Sequence, residues 1–147
     1  MTLTAQDLVG AWHLESWTMD VDGSPRQYPF GETPTGIIAY TADGWMTAAI
    51  HRDGRDLLPA GQAFRRISED LLAQAYLSYF HYAGRYRIEG DTVFHDVTQS
   101  LNPNFVGTQQ ERQVDLQGDV LRLSGEEPVG GKLRQHVLTW HRQPVAR

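Results

Sequence analysis

The sequence predicts an all-β fold: an eight-stranded antiparallel up-and-down β-barrel with one short helix between strands 3 and 4. Three observations predict it. Apolar and polar residues alternate in about eight short segments bounded by turn residues. Gly and Asp pairs suited to two-residue hairpin loops recur between those segments. These tight connections alternate along the chain with long ones, so a meander collects tight turns at one end, a floor, and loops at the other, a mouth. Eight strands closed on themselves leave no edge and enclose side chains or one small ligand.

The first strand, near residues 12 to 20, lies in "VGAWHLESW". Strand parity places Trp12, Leu14 and Ser16 on the inner face and His13, Glu15 and Trp17 on the outer one. An outward indole is an apolar patch that needs a cover, supplied by the helix or by a second copy of the chain in a homodimer. A long connection, 21 to 35, carries Tyr28 and Phe30. Strands near 36 to 42 and 45 to 51 flank Asp43-Gly44, and their inner face stays open. Ile37, Ala39, Met46, Ala48 and Ile50 form the more apolar set, while Ile38 and Tyr40 also fit inside.

The connection 52 to 78 holds the helical pattern, "SEDLLAQAYLSY" at 68 to 79, with Ser68 as N-cap and acids at 69 and 70 in its first turn. Strands near 79 to 88 and 92 to 100 meet at Gly90-Asp91. A two-residue loop there sets Ile88 opposite Val93, Tyr86 opposite His95, Gly84 opposite Val97 and Tyr82 opposite Gln99. The other face pairs Arg85 with Asp96, as a solvated surface does. Strands near 108 to 117 and 120 to 124 meet at Gly118-Asp119, pairing Leu116 with Leu121, Val114 with Leu123 and Arg112 with Gly125 on the inner face. Residues 101 to 107 and 125 to 133 read as long mouth loops, and the last strand runs near 134 to 142.

The 147 residues form one domain, long enough to bury roughly 70% of the unfolded chain's surface. There are no cysteines, so neither disulfides nor thiolate metal sites are available. A net charge of -5 gives nucleic acid no electrostatic attraction. No apolar run approaches a membrane span, and "MTLTAQDLVG" lacks the pattern of a secretory leader. The expectation is a cytoplasmic protein with no nucleic-acid or membrane partner and no cofactor.

"GAW" at residues 10 to 12, the eight-strand meander and the closing "TWHR" resemble the lipocalin and fatty-acid-binding (calycin) superfamily. The resemblance implies that Trp12 closes the floor and that Arg142 packs across it. "LVGAWHLESW", "GIIAYTADGWM" and "YAGRYRIEGDTVFHDVTQSLNPNFVGTQQER", with Trp140, look more specifically like the bacterial lipocalin-like domain family over essentially the full length. Related barrels include small-molecule carriers and biosynthetic enzymes that cyclise, isomerise or dehydrate apolar substrates.

Within this frame the inner face turns from aliphatic at the floor to polar higher up. Arg112 keeps its charge and finds no inward carboxylate, which suits a ligand oxygen; alternatively it stacks on a tyrosine or hydrogen-bonds to Gln110 and loop carbonyls as part of the wall. His95 is the expected acid or base, with Tyr82 or Tyr86 donating to a substrate oxygen; its other reading is a core histidine satisfied by a tyrosine hydroxyl. Tyr82, Gln99, Gln110, Val97, Val114, Leu123, Tyr40, Phe105, His136 and Trp140 complete the expected ligand-binding wall, although Trp140, like Trp12, also suits floor packing. Histidine spacing fits no metal motif. Two functions follow: a cyclase, isomerase or dehydratase acting on a small apolar carbonyl or carboxylate compound, or a non-catalytic carrier or sensor of a hydrophobic ligand.

Overall fold

The computed structural model describes residues 2–143. Its eight antiparallel strands close in sequence order: β1 (Gly10–Val21), β2 (Thr35–Tyr40), β3 (Trp45–His51), β4 (Tyr79–Glu89), β5 (Thr92–Ser100), β6 (Gln109–Gln117), β7 (Val120–Val129) and β8 (Lys132–Arg142). Helix α2 (Glu69–Leu77) lies between β3 and β4, and Ser68 Oγ caps it by accepting from the Leu71 amide at 3.4 Å. A four-residue helix, α1 (Ala5–Leu8), precedes β1 and was not expected. Its signal is Thr4 three residues before Asp7, whose carboxylate accepts from the Thr4 amide at 2.8 Å.

Both two-residue hairpins have the expected register, with Gly90 and Gly118 at positive φ. At the β2–β3 turn the Thr41 amide donates to the Trp45 carbonyl at 2.8 Å, leaving three residues, Ala42 to Gly44, in the loop. One residue more than a two-residue loop inverts the parity. Tyr40 therefore faces Met46 and Ile38 faces Ala48 inside, while Ile37 is exposed.

Two bulges redirect side chains. In β1 the register against β8 slips between Leu14 and Ser16, which turns Trp17 and Met19 inward after Trp12 and Leu14. Trp17 thus packs against the core, with Phe30 and Phe80 on its edges, and α2 does not cover it. In the β4–β5 pair the register slips between Ala83 and Gly84, so Gln99 pairs with Ala83 and lies exposed instead of facing Tyr82. Gly84 permits the bulge, since a Cβ there would lie 1.9 Å from the Asp96 carbonyl oxygen.

The expected mouth loop at 125 to 133 is instead a continuation of β7 and β8, turned by Gly130 and Gly131, both at positive φ. β6 does not follow it. The β6–β7 ladder stops at Gln113 and Ser124, above which β6 pairs only with β5 and β7 only with β8. The wall is therefore notched on the mouth side of that pair.

The floor is built as expected. Trp12 is fully buried and donates through Nε1 to the Leu8 carbonyl at 2.9 Å. The Arg142 guanidinium lies 4.1 Å from the Trp12 ring centre, and its two Nη groups donate to the carbonyls of Val9 at 2.8 Å and Asp7 at 2.7 Å. Gly10 has φ 124°, and a Cβ there would meet Arg142 Nη1 at 3.2 Å, so the glycine of the Gly-x-Trp stretch serves both backbone and floor.

Candidate functional site

Alternation along β5 carries Val93, His95 and Val97 inward, and β2 and β4 bring Tyr40 and Tyr82 to the same height. His95 is 1% exposed, with Tyr40 Oη 2.8 Å from Nε2 and Tyr82 Oη 2.7 Å from Nδ1. Burial, aided by the positive charge of Arg112, pushes the imidazole down to about 3. Burial also raises both phenols, Tyr40 well above its ordinary value. All three groups are therefore neutral at neutral pH, and the protons can be counted. A neutral imidazole donates from one nitrogen and accepts at the other. One tyrosine gives its proton to the ring; the other accepts from it and keeps its own proton free. The relay thus holds one spare O–H donor.

Tyr86, expected to act beside His95, is committed elsewhere. Its hydroxyl donates to the Thr41 carbonyl at 2.7 Å, while its ring meets Tyr40 edge-on at 4.8 Å. Trp140, 1% exposed, has its indole Nε1 buried without a partner among the described residues. Val97 and Leu123 are buried, and Val114 packs against the core from β6. Phe105, set by a short 3₁₀ turn at Pro103–Phe105, meets Phe80 edge-on at 5.9 Å and Tyr82 at a tilt at 6.2 Å.

Arg112 occupies the notch. Its guanidinium folds over Gly125, where a Cβ would lie 3.0 Å from Nη1, and donates to the Glu111 carbonyl at 2.8 Å. Among the described residues it has no carboxylate within ion-pair distance. Gln110, opposite His95 in the β5–β6 ladder, donates to Thr108 Oγ1 at 2.9 Å. His136 completes the edge from β8. Its Nδ1 accepts from Trp17 Nε1 at 3.0 Å, which leaves the proton of the neutral ring on Nε2, 3.5 Å from Glu127 Oε1. Burial lowers its pKa, against the opposing effect of Glu127. The groove these residues line has a volume of about 690 Å³.

Twelve of the thirteen expected site residues thus lie in the inner wall or at the notch, Tyr86 among them but bonded away from His95, and Gln99 is turned out. Trp17 was missed as an interior residue. Its signal is a phase shift in β1, where apolar residues fall at 12 and 14 and then at 17, 19 and 21.

A lipocalin-like domain model matches residues 9–143. Over 109 residues the chain is 36% identical to a 4'-hydroxy-3'-methoxypropiophenone carrier protein of Aspergillus oryzae, an alignment covering 67% of this chain and 97% of that protein. With the closed eight-stranded barrel, these matches establish that the chain belongs to the lipocalin-like domain family.

Proposed function

We propose that this protein is a non-catalytic carrier of a small aromatic carbonyl compound. The observation that carries this reading is a surplus of hydrogen-bond donors inside the barrel. The Tyr40–His95–Tyr82 relay has a spare hydroxyl proton and, among the described residues, Trp140 Nε1 is buried without an acceptor, while Arg112 at the notch has no carboxylate partner. A buried unpaired donor costs about 1–3 kcal/mol, which a ligand bringing carbonyl oxygen repays. The aromatic side chains around the relay, Tyr40, Tyr82, Phe80 and Phe105, suit a flat ring. The relative's name supports the same class, a hydroxyaryl ketone.

The relay supports binding over acid–base catalysis. A histidine held to about 3, with both nitrogens occupied by phenols, has no proton to give near neutrality and little affinity for one. Titration of the wild-type protein with 4′-hydroxypropiophenone, followed by tryptophan fluorescence, should give saturable one-to-one binding. The ketone should be recovered unchanged after prolonged incubation. The Tyr82→Phe variant should bind at least fivefold more weakly, since a hydrogen bond of about 1 kcal/mol is lost. Absence of binding would sink the reading, and chemical conversion of the ketone would replace it with the enzyme.

A further inference from the structure

The notch between β6 and β7 has a shape that the carrier reading alone does not require. We propose that it is the port through which the ligand reaches the barrel interior, and that the Arg112 guanidinium folded over Gly125 is its latch. The inference rests on the carrier reading for its ligand.

Four features carry it. The ladder between the two strands ends at Gln113 and Ser124, so above that point no backbone hydrogen bonds need break for the wall to part. The gap is already a groove of about 690 Å³. Arg112 crosses it on the lightest of tethers: among the described residues its side chain bonds only to the carbonyl of its own neighbour, Glu111, and swings into water without breaking an ion pair there. Gly125 supplies the seat, because any side chain there would press on the guanidinium within 3.0–3.3 Å.

The mouth, by contrast, is stopped. Phe30 from the first long connection and Phe105 from the 101-to-108 connection both pack onto the core. Trp17, Phe80 and Tyr82 join them in edge-on and tilted aromatic contacts with ring centres 5.0–6.4 Å apart. Passage there means separating several such contacts, worth about 0.5–1.5 kcal/mol each beyond their buried area. Gln110, which lines the groove beside Arg112, sits opposite His95 in the β5–β6 ladder, so a ligand displacing the latch arrives beside the relay.

Stopped-flow mixing with 4′-hydroxypropiophenone tests the port, with circular dichroism to show that each variant keeps the barrel. Gly125→Leu replaces the movable guanidinium with a fixed apolar plug. It should slow association and dissociation at least tenfold while the equilibrium constant moves less than threefold. Arg112→Ala removes the latch and should speed association at least threefold. A folded Gly125→Leu protein that associates at the wild-type rate overturns the port. If Gly125→Leu abolishes binding, Arg112→Ala decides: an association rate equal to or below wild type overturns the proposal. Failure of the wild-type protein to bind the ketone would instead overturn the carrier reading.

Discussion

At the scale of single residues, His95 links the stability of the protein to its site. Its folded value of about 3 lies below the unfolded value of about 6.5, so between those limits the unfolded chain binds a proton that the folded one does not. The stability His95 contributes is complete above about pH 6.5 and drains away as pH falls toward 3, at a slope of about 1.4 kcal/mol per pH unit. Gln at this position keeps a donor and an acceptor between the two tyrosines but does not titrate. Urea denaturation at successive pH values should therefore show the gap between wild type and His95→Gln shrinking by about that slope between pH 6 and 4.5. A constant gap would mean that the folded protein protonates His95 as readily as the unfolded chain does. The geometry puts a tyrosine hydroxyl on each nitrogen of His95, as the core-histidine reading of the sequence expects. A buried histidine beside tyrosines is legible in alternation, but which tyrosines reach its nitrogens depends on three strands, and that is settled only by the register of each.

At the scale of elements, the sequence was legible wherever a turn alone sets the register. Gly90-Asp91 and Gly118-Asp119 carry their pairings correctly to Gly84–Val97 and to Val114–Leu123. Legibility fails where one residue is added: a longer turn at Ala42 to Gly44, a bulge after Leu14, a bulge at Thr98. Each insertion flips parity, which is why Tyr40 and Trp17 lie inside and Gln99 outside. The upper β7–β8 hairpin was hidden for a different reason. Glu126, Glu127 and Lys132 are exposed at the rim, so the apolar alternation that marks a half-buried strand is lost. Gly84 at a bulge and Gly125 at the notch make a contrast. Gly84→Ala would force a methyl carbon to 1.9 Å from a backbone oxygen that cannot move aside, and should cost about 3 kcal/mol or more. Gly125→Ala meets only the end of the flexible Arg112 side chain and should stay within about 1 kcal/mol. Equal losses in thermal denaturation of the two variants would show that the β4–β5 bulge relaxes more easily than its backbone contact implies.

At the scale of the whole molecule, the barrel must join its last strand to its first, and it does so twice. The β1–β8 ladder runs from Trp12–Arg142 to Val21–Arg134, interrupted by one bulge. Below it Arg142 ties three segments together, its guanidinium stacked on Trp12 from β1 and bonded to the carbonyls of Asp7 and Val9 at the end of α1. Asp119, in the β6–β7 turn, adds a contact at 3.7 Å. The geometry calls for arginine, because two Nη groups must reach two carbonyls while the plane lies flat on an indole. Lysine keeps the charge but neither the fork nor the stack. Hydrogen bonds to charged groups contribute about 1.5–3 kcal/mol, so Arg142→Lys should lower stability by about 2–3 kcal/mol. For a chain of this size that is a fall of roughly 5–10 °C in Tm. Ketone affinity should persist, since the tie lies at the end of the barrel opposite the notch. A Tm within about 1 °C of wild type would assign closure to the β1–β8 ladder alone; a loss of affinity matching the loss of stability would mean that floor and site move as one unit.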